Sequence, residues 1–201
     1  VKSGYLIASG SSTSSPLMNA SVWLDLNRNL VQDDDEPSAK TNADGHFTLA
    51  IPLSTVKQYD SNGDGKLTDE HLRLVSTGGI DSLTAKPVDG MVLIGDFNNG
   101  VLTPVTTLAA LLADAGVSTE ASAAIQKAFG VAVVDVVDHS SAYDPYEALA
   151  KGDTSAFPQV LAHTQLAGLL LLASTLGEEA GLTPVASLQK LATALAKVDP
   201  A

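Results

Sequence analysis

Asp25-Leu26-Asn27-Arg28-Asn29-Leu30-Val31-Gln32-Asp33-Asp34-Asp35-Glu36 carries oxygen side chains at its first, third, fifth, ninth and twelfth places. A hard cation such as Ca2+ takes roughly six to eight oxygens, and a loop curled around it turns alternate side chains inward. The seventh place needs only a carbonyl, which Val31 supplies, and Glu36 stands where a bidentate carboxylate closes the shell. The sixth place departs from the pattern, with Leu30 where the sharp turn favours glycine. A leucine at positive φ is strained, so the loop is expected to run differently there or to bind more weakly. The competing reading is a solvated acidic turn between two strands.

Metal binding is the preferred reading because the signal recurs. Asp60-Ser61-Asn62-Gly63-Asp64-Gly65-Lys66-Leu67-Thr68-Asp69-Glu70-His71 presents Asp60, Asn62 and Asp64, then Gly65 at the turn and the Lys66 carbonyl. Leu67 is the apolar eighth residue. His71 falls where a bidentate carboxylate belongs, and imidazole suits calcium poorly. Asp69, Glu70 or an acid from elsewhere is therefore expected to close the second loop. Magnesium is less suited, because it demands stricter octahedral geometry.

Outward from the first loop, Ser21 to Leu26 alternates and reads as a strand with one buried face, Trp23 packing in the core. Gly4 to Ala8 reads as a strand, and the Ser/Thr-rich stretch Ser9 to Ser15 as a loop. Asn42-Ala43-Asp44-Gly45 between Ser38–Thr41 and His46–Ile51 predicts a hairpin, with glycine supplying the positive φ. His46 is expected at the surface. Leu72–Ser76, Met91–Ile94 and Val101–Val105 read as further strands. Asp81 and Asp96 are additional metal candidates, and for Asp96 a turn residue capping its own backbone is preferred.

The segments Val22–Asn29, Asp33, Glu36-Pro37 and Thr41–Phe47 resemble the B-type repeats of serine-aspartate-rich surface adhesins. They are also similar to β-sandwich modules of large calcium-dependent adhesins of Gram-negative bacteria. The resemblance spans roughly residues 4 to 52. It implies a Greek-key β-sandwich in which calcium stiffens a stalk or presents a ligand site. Ser76–Asp81 together with Thr103–Leu108 looks like segments of large secreted bacterial adhesins and surface lipoproteins. That likeness implies no catalytic residue.

After Pro104 the apolar period lengthens to the helical one. Helices are expected from Thr106 to Ala115, from Ser118 to Phe129 and from Asp144-Pro145 to Gly152. Two more are expected from about Ser155 to Glu179 and from Thr183-Pro184 to Val198. Val131–Val137 is too short to assign. His163 reads as a partly buried helix residue. The expected architecture is α+β: a β-sandwich with calcium loops over 1–104, and an α-helical bundle over 105–201 packed on it.

The 201 residues carry a formal charge of −12, with 45% hydrophobic and 4% aromatic side chains and no cysteine. Such a chain is a poor nucleic-acid partner, since a phosphate backbone needs a basic face. It repels itself unless cations offset the charge. Disulfides, thiolate catalysis and cysteine-held zinc are excluded. No signal peptide is visible at Val1, and the apolar run Leu166 to Ala173 is too short for membrane insertion. The abrupt ends read as a piece of a longer chain with neighbouring domains.

The function expected is a calcium-binding module of a secreted or cell-surface bacterial adhesin, not an enzyme. The alternative is a calcium-assisted site for a cell-surface glycan or peptide, with Tyr59, or Tyr143 with Tyr146, as its aromatics. A Ser-His-Asp arrangement around His139, Asp135, Asp138 and Ser140-Ser141 lacks a strained nucleophile turn and an oxyanion hole. The acids left over fall in loops that metal spacing already explains.

Overall fold

Strand β3, Ser21–Asp25, is buried over four consecutive residues, Val22 to Asp25, rather than on alternate ones. Its neighbours explain this. The computed structural model describes residues 5–13, 15–67, 72–134 and 144–197. Among them are nine strands and six α-helices, an α+β architecture. β3 lies inside a four-stranded antiparallel sheet ordered β4 (Ser38–Lys40), β3, β6 (Arg73–Thr77), β8 (Val92–Asp96). One face of that sheet, carrying Val22, Leu24, Leu74 and Leu93, shares a core with Phe47, Leu49, Ile51 and Leu102. The other face, carrying Trp23, Val75, Val92 and Ile94, shares a second core with Val105, Leu108, Leu112, Leu166 and Leu188. The sheet is thus a middle layer, and the expectation of one buried face on β3 is corrected to two. A sheet covered on both sides reads as a continuous apolar run.

The outer β layer is a three-stranded sheet. β1 (Tyr5–Ser12) pairs antiparallel with β5 (His46–Pro52) and parallel with β9 (Val101–Leu102). Along β5, Phe47, Leu49 and Ile51 point inward while His46, Thr48 and Ala50 are exposed. The short strands β2 (Leu17–Met18) and β7 (Ile80–Asp81) form a separate pair.

Two expectations are corrected here. Ser9 to Ser12 belongs to β1 and is not loop, because Ser12 Oγ donates to Ser76 Oγ at 2.8 Å and so enters the core with its hydroxyl satisfied. The backbone approaches closely there too. A Cβ on Gly10 would lie 1.9 Å from the Gly100 carbonyl oxygen, so only glycine fits. The Asn42–Gly45 turn forms, with Gly45 at φ +78°. Its flanking strands do not pair, however: β4 pairs with β3 and β5 with β1. The turn carries the chain from one sheet to the other.

The helical layer begins at α2, Pro104–Asp114. Thr103 caps it, and Thr106 and Thr107 stitch it to β8. Thr106 Oγ1 donates to the Ile94 carbonyl at 2.6 Å and Thr107 Oγ1 accepts from the Ile94 N–H at 2.8 Å. α3 (Thr119–Ala128), α4 (Pro145–Ala150), α5 (Phe157–Glu179) and α6 (Pro184–Leu195) follow, with Ser118, Asp144 and Thr183 as side-chain caps of α3, α4 and α6. The helix α1 (Leu53–Tyr59) was not expected; it buries a single residue, Val56, too little to leave a periodic signal. Thr154–Glu179 is long and apolar enough to cross a bilayer, at 26 residues and mean hydropathy 1.5. Part of it lies in the core through Ala162, Leu166 and Leu170.

His163 on α5 is fully buried, with its ring edge-on to Tyr146 at 6.4 Å and Nδ1 without a partner. Burial pushes its imidazole down to about 4. The unfolded chain takes this proton below about pH 6.5 and the folded chain only near pH 4. The stability it contributes is therefore present above pH 6.5 and lost as pH falls toward 4, by roughly 3 kcal/mol. Denaturant unfolding at pH 7 and at pH 4.5 checks this. The wild type should lose more stability over that interval than His163→Leu by an amount of this order.

Candidate metal centre

Loop 1 leaves the end of β3 at a buried carboxylate. Asp25 has no solvent exposure, Oδ2 accepts the Leu30 N–H at 3.0 Å, and Oδ1 has no partner. The loop then closes in a series of short side-chain turns. Asn27 Oδ1 accepts from Asn29 N–H at 3.0 Å, and Asn29 Oδ1 accepts from Val31 N–H at 2.7 Å. At the far end Glu36 is buried. Its Oε1 accepts from Leu26 N–H at 2.8 Å and its Oε2 from Asp33 N–H at 3.1 Å. The first and last carboxylates are both fixed by backbone donors.

Loop 2 repeats the same turns. Asp60 Oδ2 accepts from Gly65 N–H at 2.7 Å, Asn62 Oδ1 from Asp64 N–H at 3.0 Å, and Asp64 Oδ1 from Lys66 N–H at 2.9 Å. In both loops the first side chain takes the N–H of the sixth residue, the third that of the fifth, and the fifth that of the seventh. The sixth residue is left-handed in both, Leu30 at φ +58° and Gly65 at φ +80°. The expectation that Leu30 would divert the loop is therefore corrected: the turn is kept. Left-handed backbone costs a non-glycine residue about 1–2 kcal/mol. Leu30 is buried against Trp23 and the helical layer, and burial of a leucine returns about 2 kcal/mol.

The electrostatics of the two loops differ. Burial pushes the Asp25 carboxyl above its ordinary range against the pull of backbone N–H groups. Burial also raises Glu36, with the charges of Asp25 and Asp33 adding to it. Asp60 is held below its ordinary range, chiefly by the Gly65 N–H. Loop 1 begins and ends on a buried acid, Asp25 and Glu36, whereas loop 2 is open over its described residues up to Lys66.

In this conformation the centre of loop 1 is crossed by amides. Asn27 Nδ2 and Asn29 Nδ2 both donate to Asp33 Oδ2, at 2.7 and 2.8 Å. Among the described residues no three carboxylate or imidazole groups meet at one point. An amide nitrogen does not ligate a cation, so a cation here would require both amides to release Asp33 Oδ2 and bring inward the oxygens that now accept the Asn29 and Val31 N–H groups. The residues fit a hard cation in their chemistry and backbone course: Asp25, Asn27, Asn29, Asp33 and Glu36 by side chain, and Val31 by carbonyl. Loop 2 offers Asp60, Asn62, Asp64 and the Lys66 carbonyl. Asp69 and Glu70 lie outside the described residues, as do His71, Tyr143 and the residues around His139.

Other candidates separate from the loops. Asp96 Oδ1 caps its own turn at Asn98 N–H, 2.7 Å away, and Asp81 Oδ1 does the same at Leu83 N–H, 2.8 Å. Tyr59 is half-buried against the core between the sheets. A cleft of about 470 Å³ opens elsewhere, lined by Asp44, His46, Asp144, Tyr146, Glu147 and Lys151 among others. Three of its charged groups are engaged, Lys151 Nζ with Glu147 Oε1 at 2.5 Å and Asp144 as the cap of α4. Sequence reasoning missed Arg28, Arg73 and Asp114, which form an ion-pair cluster beside loop 1. Asp114 stands 86 residues from Arg28, and no local pattern connects them. Comparisons with protein-family models, with curated proteins and with solved structures find no match.

Leu30 is the one fully buried apolar side chain of loop 1. Leu30→Ala should cost about 2–4 kcal/mol in denaturant unfolding, as other buried leucine truncations do. Leu30→Gly, which relieves the backbone, should cost less than the side-chain loss alone implies.

Proposed function

We propose that this chain is a calcium-binding module of a secreted or cell-surface bacterial adhesin, and that calcium orders its acidic loops. The observation that carries the reading is Asp25, a fully buried carboxylate with an unpartnered oxygen at the first place of a loop whose side-chain turns match those of a second loop. A buried carboxylate oxygen without a partner is costly, and a bound cation removes that cost. The chain's charge of −12 supports the same reading, since cations at the loops lower its self-repulsion. The adhesin assignment and its extracellular setting rest on the resemblance over residues 4 to 52. The finer architecture belongs to the same proposal: the two facing sheets as a Greek-key sandwich, followed by a helical bundle. In this role the loops bind, stiffen and present; the chain carries out no reaction.

A thermal melt tests this. After chelation, Ca2+ returned at millimolar concentration should raise the melting temperature by several degrees, because a ligand that binds only the folded state stabilises it. Mg2+ should do less. Asp25→Ala should remove most of the calcium shift and Asp60→Ala a smaller part. An unchanged melt at several millimolar Ca2+ sinks the reading.

The two loops should also release calcium at different pH. Protons compete for Asp25 and Glu36 above the ordinary carboxylate range, and for Asp60 only below it. In calcium titrations run at falling pH, loop 1 (isolated with Asp60→Ala) should lose affinity first. Loop 2 (isolated with Asp25→Ala) should hold calcium to lower pH. The reverse order would contradict this assignment of the electrostatics.

A further inference from the structure

Arg28 occupies the fourth place of loop 1, between the candidate ligands Asn27 and Asn29, with its backbone left-handed at φ +61°. Its side chain leaves the loop and reaches the helical layer, where Nη2 donates to Asp114 Oδ1 at 3.1 Å. Asp114 is the last residue of α2, whose final turn carries no basic residue. An acid at the negative end of a helix is unfavourable unless cations face it. Two do. Arg73 meets the same carboxylate from β6, with Nη2 2.8 Å from Oδ1 and Nη1 bonded to Oδ2. Arg73 in turn stands opposite Asp25 in the β3–β6 ladder. Leu30, two residues after Arg28, is packed in the core that holds the inner faces of α2, α5 and α6. Loop 1 therefore grips the helical layer by an ion pair and by a buried side chain, on either side of Asn29.

We propose that loop 1 couples its cation to the helical layer: occupancy of the loop orders the C-terminal end of α2 through Arg28 and Asp114. The proposal rests on the calcium reading of loop 1. Ligation at Asn27 and Asn29 fixes the backbone of the residue between them. That restricts where the Arg28 guanidinium can lie and holds it against Asp114. Arg28 is a positioning residue here and not a ligand. The coupling is reciprocal, so whatever loosens the end of α2 also weakens calcium on loop 1. In loop 2, Gly63 and Gly65 face open space, and Leu67 lies in the core between the sheets rather than in the helical core that receives Leu30.

Hydrogen exchange followed by mass spectrometry on the intact chain tests this, with Asp60→Ala present throughout to silence loop 2. Calorimetric titration of Ca2+ runs alongside. With Arg28 in place, saturating Ca2+ should slow exchange in loop 1 and also in the last turn of α2, the latter by about fivefold. In Arg28→Ala, Ca2+ should still bind and protect loop 1, while protection of α2 by Ca2+ should fall to within about twofold of the calcium-free value. Arg28→Lys, which keeps the charge, should recover part of it. Equal calcium-dependent protection of α2 in Arg28→Ala overturns the coupling. So does protection of loop 1 that never reaches α2 in the parent, and in that case the calcium reading survives. No heat and no protection at loop 1 overturns both.

Discussion

The four-stranded sheet has to be dry on both faces, and the rest of the structure follows from that. Val22 and Leu24 on one side and Trp23 on the other cannot all be buried by a single partner layer. The three-stranded sheet covers the first face, and α2, α5 and α6 cover the second. Each large apolar side chain so buried contributes about 1.5–3 kcal/mol, and neither cover alone accounts for both sets. Thr106 and Thr107 then fix the register of the helical cover, because they exchange hydrogen bonds with both backbone groups of Ile94. A helix held at its N-terminal end in this way projects its C-terminal end, with Asp114, toward the edge where loop 1 begins.

The same burial creates the chemistry of loop 1. β3 runs out of the middle layer into Asp25 while still enclosed, so an acid ends up where water does not reach. Backbone N–H groups offset part of the cost, and the Leu30 turn delivers the nearest of them. They leave Oδ1 unanswered. In loop 2 the strand-to-loop passage is replaced by the short helix α1, and Asp60 emerges at the surface. The same spacing of acids thus yields a desolvated site in one case and a solvated one in the other.

The periodicities that depend on local chemistry were legible from the sequence. The caps Ser118, Asp144 and Thr183 announce their helices, and the repeated oxygen spacing announces that the two loops turn alike over their described residues. What was not legible is long-range. Ser9 to Ser12 reads as loop until Ser76 supplies a partner for Ser12. The Asn42–Gly45 turn reads as a hairpin, because a turn does not encode whether its flanking strands pair with each other or with different sheets. Leu30 reads as a fault in a glycine position until the core that receives it is known. Arg28 and Asp114 carry no signal at all, since ion pairs between distant elements follow from packing.

Leu30 shows how a departure from a motif acquires meaning. Glycine at the sixth place makes the turn without strain but ties the loop to nothing, as Gly65 illustrates with no atom near it. Leucine accepts the strained conformation and sends a side chain into the helical core. The strain and the burial are of similar size, so the exchange is nearly neutral for stability. Its effect is on connection: Leu30 shares a buried core with Val105, Leu108, Leu111 and Leu112 of α2. Under the proposed reading, a cation that tightens such a loop acts on the layer beneath it, whereas one bound at loop 2 acts locally. Two loops with one spacing therefore differ in what they reach, Leu30 entering the helical core and Arg28 pairing with Asp114 at the end of α2.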